Sequence, residues 1–133
     1  QEDIDQTLHG DMDRFAFNFL DAISADRKET AFRLLHNMLG SGGEIFSLLG
    51  LLINQFELMY EVKEFKDDGV PAEEIAKRLK VNGYRVKKAA SAADRFSTAK
   101  LSETLSRLYE IDRNIKTGAM DGILALEMLI GRI

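Results

Sequence analysis

The apolar residues of this chain recur every three or four positions, which is the spacing of residues on one face of an α-helix. The first such segment starts near Met12, and the residues that share its face are Phe15, Phe19, Ala22 and Ile23. Asp26 and Glu29 then stand at the spacing of a capping box, so we expect Asp26 to cap a second helix. This second helix should end at the glycine-rich residues 40–43.

The longest predicted helix runs from Glu44 to about Lys66. Residues 45–53 are almost unbroken apolar, which predicts burial on nearly all sides of the helix. Farther along, the apolar positions narrow to a stripe flanked by charged residues. We therefore expect this helix to lie at the centre of the core, where the innermost side chains are Ile45, Leu48, Leu49, Leu52 and Phe56.

A short helix and a longer one follow. Pro71 suits the first turn of the short helix, because proline has no N–H and its φ already fits a helix. Asn82–Gly83 is a turn signal that separates it from a helix spanning Tyr84–Arg95. The small residues on one face of that second helix favour close packing against a neighbour, and they are Ala89, Ala90 and Ala93.

The last two helices are separated by a single glycine. Ser97 or Thr98 is expected to cap the sixth helix, which Gly118 ends, and the seventh spans Met120–Ile133. The apolar face of the sixth helix is formed by Leu101, Leu105, Leu108, Ile111 and Ile115. Since no segment shows the alternation of a strand, the pattern predicts an all-α fold, a single compact bundle of about six or seven helices.

The composition agrees with this prediction. A chain of 133 residues that is 45% hydrophobic can form one domain with its own core, and it contains one proline and no cysteine. The absence of cysteine suits a cytoplasmic protein. Unbroken apolar runs stay well below the roughly 20 residues that span a bilayer, so no membrane partner is predicted. Residues 1–10 are polar and read as a linker or the tail of a preceding domain, and residues 11–133 as the helical domain.

No catalytic, metal or cofactor site is predicted. His9 and His36 lie far apart, and neither has a carboxylate at metal-ligand spacing. Residues 40–43 lack the Lys-Ser/Thr ending of a phosphate-binding loop and follow a helix rather than a strand. The carboxylate pairs of the chain lie on polar helix faces, where solvation explains them. The expected chemistry is therefore that of packing and binding.

Charge is distributed unevenly along the chain. Residues 1–70 carry 14 acidic and 6 basic side chains, whereas residues 71–100 carry 3 acidic and 8 basic ones. A basic segment in an otherwise acidic protein is a candidate contact surface for phosphate or for an acidic partner. A solvated helix face on which charges cluster by chance is the alternative.

Residues 71–92 also resemble a helix-turn-helix. The first helix would supply an Ile-Ala-x-x-Leu core, and the second carries Arg85, Lys87 and Lys88 near its N-terminal end, where a recognition helix meets base edges. Any two short amphipathic helices joined at a glycine give the same pattern. Tyr84 stands early in the second helix, where packing could bury it. A stand-alone DNA-binding module that uses these two helices is the alternative function.

Several segments also occur in the order of a known family. In the N-terminal half they are residues 21–23 within a Phe-rich helix, 31–39 and 53–58. In the C-terminal half, which carries most of the weight, they are residues 81–88, 96–97 leading into Leu101, 111–118 and 126–130. Together these segments resemble the C-terminal domain of the delta subunit of the bacterial DNA polymerase III clamp loader, over Gly10 to Ile133.

The resemblance implies a function in assembly. In that family an AAA+-like clamp-opening domain and a small lid domain precede a helical domain, which joins its counterparts from gamma/tau and delta-prime type subunits in a circular collar. Residues 1–10 would then be the tail of the lid domain, and residues 11–133 the collar domain. The chain would be a piece of a subunit of a nucleotidyltransferase complex, with no catalytic activity of its own. It would support clamp loading onto primed DNA during replication.

The resemblance also implies a set of contact residues. The family's Tyr-Arg-x-Lys-Lys and Ile-Lys-Thr-Gly motifs are matched here, and we expect their side chains to contact the phosphates of primer–template DNA or an acidic neighbour. The residues are Tyr84, Arg85, Lys87, Lys88, Lys116 and Thr117.

Overall fold

The computed structural model describes residues 14–15, 18–23, 25–40, 45–119 and 121–133. Residues 18–23 are helical, and the helices with defined bounds are α1 (Lys28–Gly40), α2 (Ile45–Asp67), α3 (Ala72–Leu79), α4 (Gly83–Ala93), α5 (Thr98–Lys116) and α6 (Gly122–Arg132). These ranges contain no strand, so the predicted all-α bundle is confirmed. Predictions for residues 1–10, Met12, residues 41–43, Glu44 and Met120 lie outside the described residues.

The turn before α1 differs from the prediction. Asp26 has a φ of 59°, its N–H donates to the carbonyl of Ile23 (3.1 Å), and the N–H of Arg27 donates to that of Ala22 (2.8 Å). This pair of bonds is the Schellman pattern that ends a helix. The carbonyl of Arg27 accepts the first bond of α1, from Ala31 (3.1 Å). Asp26 therefore ends the preceding helix, and the prediction that it caps the next one was wrong.

Other helix boundaries follow the sequence signals. Gly69 and Gly118 have φ values of 82° and 77° and lie just after the ends of α2 and α5, as expected of glycines that close helices. The hydroxyl of Ser97 accepts a hydrogen bond from the N–H of Lys100 (3.0 Å), so Ser97 is the cap of α5. Helix α4 ends at Ala93, two residues before the predicted end, because the next residues form a turn.

Helix α2 is the centre of the core and packs against α3, α4 and α5. Four of its predicted core side chains are at most 1% exposed, namely Leu48, Leu49, Leu52 and Phe56. The prediction fails at the start of the helix, where Ile45 is half-buried and Phe46 is 46% exposed. The run 45–53 is therefore not buried on all sides, because an apolar run does not say which side the neighbouring helices cover.

A glycine sets how closely α6 approaches the rest of the bundle. Helix α6 starts at Gly122, two residues after the predicted start, and packs against α1 and α5. A Cβ atom on Gly122 would lie 2.7 Å from Cγ1 of Ile45 and 2.9 Å from Cδ1 of Ile115. These distances are shorter than van der Waals contact, so only glycine fits here without a shift of its neighbours.

Helix α2 is also long and apolar enough, by length and composition alone, to cross a membrane. Its unbroken apolar runs are shorter than a bilayer span, but only a few polar residues interrupt them, so the helix as a whole is apolar. Its buried side chains pack inside the bundle, as those of a core helix do.

Candidate nucleic-acid and subunit interface

Helices α3 and α4 position the basic segment. They are joined by residues 80–82, in which Lys80 adopts a left-handed φ of 56° and the Asn82 side chain caps α4 by accepting from the N–H of Tyr84 (2.7 Å). Ile75 of α3 and Val86 of α4 are fully buried. Since these two residues anchor the helices to the core, the rest of the α4 surface near its start faces outward.

Tyr84 and Lys87 form the exposed part of this surface, and the half-buried Lys88 lies beside them. Tyr84 is 60% exposed, so packing does not bury it, and Lys87 is exposed as well. Nζ of Lys88 lies 5.9 Å from the centroid of the Tyr84 ring, one helical turn away, which is a cation–π distance. The arrangement offers an aromatic face and two ammonium groups, a combination suited to phosphate or to a carboxylate-bearing partner.

Arg85 lies between the surface and the core. Its side chain is half-buried, and among the described residues its Nε is buried without a hydrogen-bond partner. A buried donor that makes no hydrogen bond is costly, by roughly 1–3 kcal/mol. A phosphate or carboxylate oxygen could reach Nε only if the side chain moved outward, and a hydrogen bond formed there would remove that cost.

Lys116 and Thr117 lie at the end of α5 and make their observed contacts there. Nζ of Lys116 is 2.9 Å from Oδ2 of Asp112 on the same helix, and the Thr117 hydroxyl donates to the carbonyl of Asn114 (3.2 Å). Helix α5 has 19 residues, about 28 Å, and these two residues lie at its far end from the α4–α5 connection. Neither contact reaches α4. The predicted contact residues thus form two separate groups, which we call the α4 group (residues 84, 85, 87 and 88) and the α5-end group (residues 116 and 117).

Neighbouring charges neutralise only part of the basic segment. Nε of Arg78 lies 3.2 Å from Oε1 of Glu74, and its guanidinium stands 5.7 Å from the centroid of the Phe65 ring. Glu74 and Glu73 are the two acidic residues of α3, and α4 has none. The segment therefore remains positive around the α4 group.

A second polar surface was not anticipated from the sequence. Helices α2 and α5 enclose a groove of about 270 Å³, which is lined by Glu57, Tyr60, Glu61, Ser102, Leu105, Ser106 and Tyr109. Desolvation raises the pKa of Tyr109, and its hydrogen bond to Glu57 raises it further. The pKa of Tyr60 is also raised, because the phenol hydrogen-bonds to Glu64 and lies near its charge. Tyr60 and Glu64 lie one turn apart on α2, but only the packing of α2 on α5 brings Tyr109 to Glu57, so the sequence pattern of either helix does not reveal the groove.

Within the described ranges no three His, Cys, Asp or Glu side chains are grouped so as to hold a metal ion. Nε2 of His36 lies 3.5 Å from Oε2 of Glu127, a contact that joins α1 to α6. Both side chains are partly exposed, and they form a two-residue contact between helices.

Comparison with known proteins gives one consistent answer. The family model described as the DNA polymerase III delta subunit, C-terminal domain, matches residues 13–133. The DNA polymerase III subunit delta of Bacillus subtilis is 27% identical over 129 residues, which cover 97% of this chain and 37% of that protein. The solved structure of the Bacillus subtilis DNA clamp loader delta protein superposes with a TM-score of 0.87 at 28% identity, over 91% of this chain and 36% of that one.

The chain thus spans little more than a third of the length of these relatives. The match in sequence and the match in structure both extend over nearly all of it, including the helices that carry the basic segment. The chain belongs to the family of C-terminal domains of the DNA polymerase III delta subunit, a component of the bacterial clamp loader.

Proposed function

We propose that this domain holds its delta subunit in the clamp loader by joining the C-terminal domains of gamma/tau and delta-prime type subunits in a circular collar. Large apolar side chains left exposed on a folded bundle support this proposal. They are Phe46, Ile123, Leu124 and Met128, each between 38% and 55% exposed. Clusters of exposed apolar residues are typical of protein–protein contact surfaces.

In this proposal the domain comprises residues 11–133, and residues 1–10 form the end of the preceding lid domain. The parent protein acts in the bacterial cytoplasm, where the loader places the sliding clamp on primed DNA. The domain itself contributes no catalytic group. Its role is to hold the other domains of delta in position.

The α4 group is the part of the domain proposed to contact the phosphates of primer–template DNA. Its cations are exposed or half-buried, and Lys88 lies over the exposed ring of Tyr84, which supports contact with a backbone rather than with one base sequence. The α5-end group is a weaker candidate, because Lys116 must give up its contact with Asp112. The loss is small, since an exposed ion pair contributes about 0–1 kcal/mol.

Clamp loading by a reconstituted loader tests the proposal. Delta that lacks residues 11–133 should fail to support loading of the clamp onto primed DNA when it is mixed with the other loader subunits. Its upstream domains should remain folded, which circular dichroism checks. Undiminished loading by the truncated subunit would show that the domain does not hold delta in the loader.

A further inference from the structure

A groove between α5 and α6 is an additional candidate contact site. The two helices run antiparallel, since Gly122 lies against Ile115 and Nζ of Lys100 reaches the carbonyl of Arg132 (3.2 Å). The groove between them has a volume of about 120 Å³. The residues that line it are Arg107, Glu110, Ile111, Asn114, Ala125, Met128, Leu129 and Arg132.

The floor of the groove is apolar. It is formed by the buried side chains of Ile111, Ala125 and Leu129. Met128 is 47% exposed on its edge, and Leu124, one turn earlier on α6, is 55% exposed. An unbranched methionine beside an apolar depression adapts to the shape of an inserted side chain. The floor and edge therefore fit a partner that inserts an apolar residue.

The two ends of the groove differ in charge. At the end where α6 finishes, Arg107 and Arg132 lie beside the groove and Lys100 lies nearby. Glu103 contacts Arg107 (2.9 Å) and Glu110 lines the groove, so the acids offset this charge only in part. The opposite end carries Asn114, Arg113, the paired Lys116 and Asp112, and the capping carboxylate of Asp121, so its charges cancel. An occupant with carboxylates at the end near Arg107 and Arg132 would match this difference.

We propose that the groove between α5 and α6 binds an amphipathic helix of a neighbouring clamp-loader subunit, which inserts an apolar side chain beside Met128 and places Asp or Glu side chains against Arg107 and Arg132. This inference rests on the proposed collar function, and it names the surface and the chemistry of the partner. Helices that dock in grooves present an apolar stripe with charged residues at its margin, and such residues set orientation and specificity.

Photo-crosslinking tests the identity of the occupant. Full-length delta with Met128→p-benzoylphenylalanine is assembled with the other loader subunits, irradiated and analysed by peptide mass spectrometry. The expected product joins the photoreactive residue at position 128 to a helix of another subunit. That helix should have Asp or Glu within about two turns of the crosslinked residue. The same photoreactive residue at the exposed Arg33 of α1 is the control and should not give that product. A crosslink to a second copy of delta, to an uncharged segment, or to nothing overturns the inference.

Charge reversal tests the role of the cationic end. Arg132→Glu should weaken binding of full-length delta to the other subunits about tenfold or more, with an effect that shrinks as salt rises. Arg132→Lys should bind nearly as well as the unaltered protein, and Arg33→Glu is the matched control. Reversing the crosslinked partner acid to Lys should restore binding to the Arg132→Glu variant.

The two proposals fail in different ways. If Arg132→Glu and Met128→Asp bind normally while deletion of residues 11–133 abolishes assembly, the collar function stands and the groove is not the site. Met128 and Arg132 are both exposed, so these variants should keep the melting temperature of the unaltered protein. If deletion also leaves assembly intact, the collar function itself is wrong.

Discussion

The α4 group gives the prediction that connects the structure most closely to DNA. Lys87 is exposed, and Lys88 is held over the ring of Tyr84, so both ammonium groups stand at the surface of α4. We expect Lys87→Ala combined with Lys88→Ala to weaken binding of primer–template DNA by the assembled loader. The loss should depend little on sequence, because phosphates carry no sequence information.

The magnitude follows from counterion release. Each phosphate contact contributes about 0.9 to the slope of log affinity against log salt on duplex DNA, so two lost contacts lower the slope by about 1.8. If the unaltered loader and the Lys87/Lys88 variant are taken to bind equally at about 1 M salt, this difference in slope makes the affinity of the variant about 30-fold lower at about 0.15 M salt. Lys87 is exposed and Lys88 half-buried, and neither belongs to the core, so the fold should be unaffected.

Fluorescence anisotropy of labelled primer–template over a range of salt concentrations measures both quantities. The matched control is Arg27→Ala with Arg33→Ala, two exposed cations outside the basic segment, which should change neither slope nor affinity. An unchanged slope in the Lys87/Lys88 variant would refute the phosphate contact and leave α4 as a solvated face. Discrimination between duplex sequences by about 10³ or more would instead favour the helix-turn-helix reader.

The remaining predictions concern the core, the two glycines Gly122 and Gly50, and the ionisation of Tyr109. Leu52→Ala should cost about 2–5 kcal/mol in chemical denaturation, as truncation of a buried leucine does, and a cost below about 0.5 would show that the core is misplaced. Gly122→Ala should destabilise by about 1–3 kcal/mol through overpacking. Gly50→Ala, at an exposed helical position with open space, should stabilise by about 0.5–1 kcal/mol. If both alanine variants were more stable than the unaltered protein, the close approach of Gly122 to Ile45 and Ile115 would be contradicted. In the Glu57→Gln variant the pKa of Tyr109, measured by spectrophotometric titration, should fall because the charge of Glu57 is lost. It should stay above its ordinary value because desolvation remains.

The raised pKa of Tyr109 also determines the direction in which stability changes with pH. Its pKa in the folded protein is raised above the ordinary value of 10.0, so folding favours the neutral phenol. The unfolded chain loses this proton first as pH rises, and stability should therefore fall above about pH 10. Below about pH 10 the phenol is neutral in both the folded and the unfolded protein, so Tyr109 adds no pH dependence to the stability.

The sequence predicted those features that depend on local spacing. The period of three and four located the helices, and Gly118 located the end of α5, because a left-handed residue after a helix is a local requirement. Asp26 was misassigned for a related reason. Its side chain satisfies the spacing of a cap, but its backbone closes the helix before it, and spacing alone does not distinguish the two roles.

Features that depend on packing could not be predicted. The run 45–53 has the composition of a fully buried helix, yet Phe46 lies on a side that the described neighbours leave exposed. Lys116 likewise contacts Asp112 on its own helix, a contact that the matched motif does not indicate. The grooves beside Tyr109 and Met128 each need residues from two helices, so neither helix alone reveals them.

The affinity of full-length delta for the remaining loader subunits tests the central claim most directly. It is measured by titrating labelled delta, with and without residues 11–133, against a preassembled mixture of the other subunits. The account predicts that the truncation weakens binding by more than about 100-fold, a loss of about 2.7 kcal/mol, because the proposed collar contact is removed. Equal affinities for the two proteins would contradict the account and show that delta is held in the loader by another part of the chain.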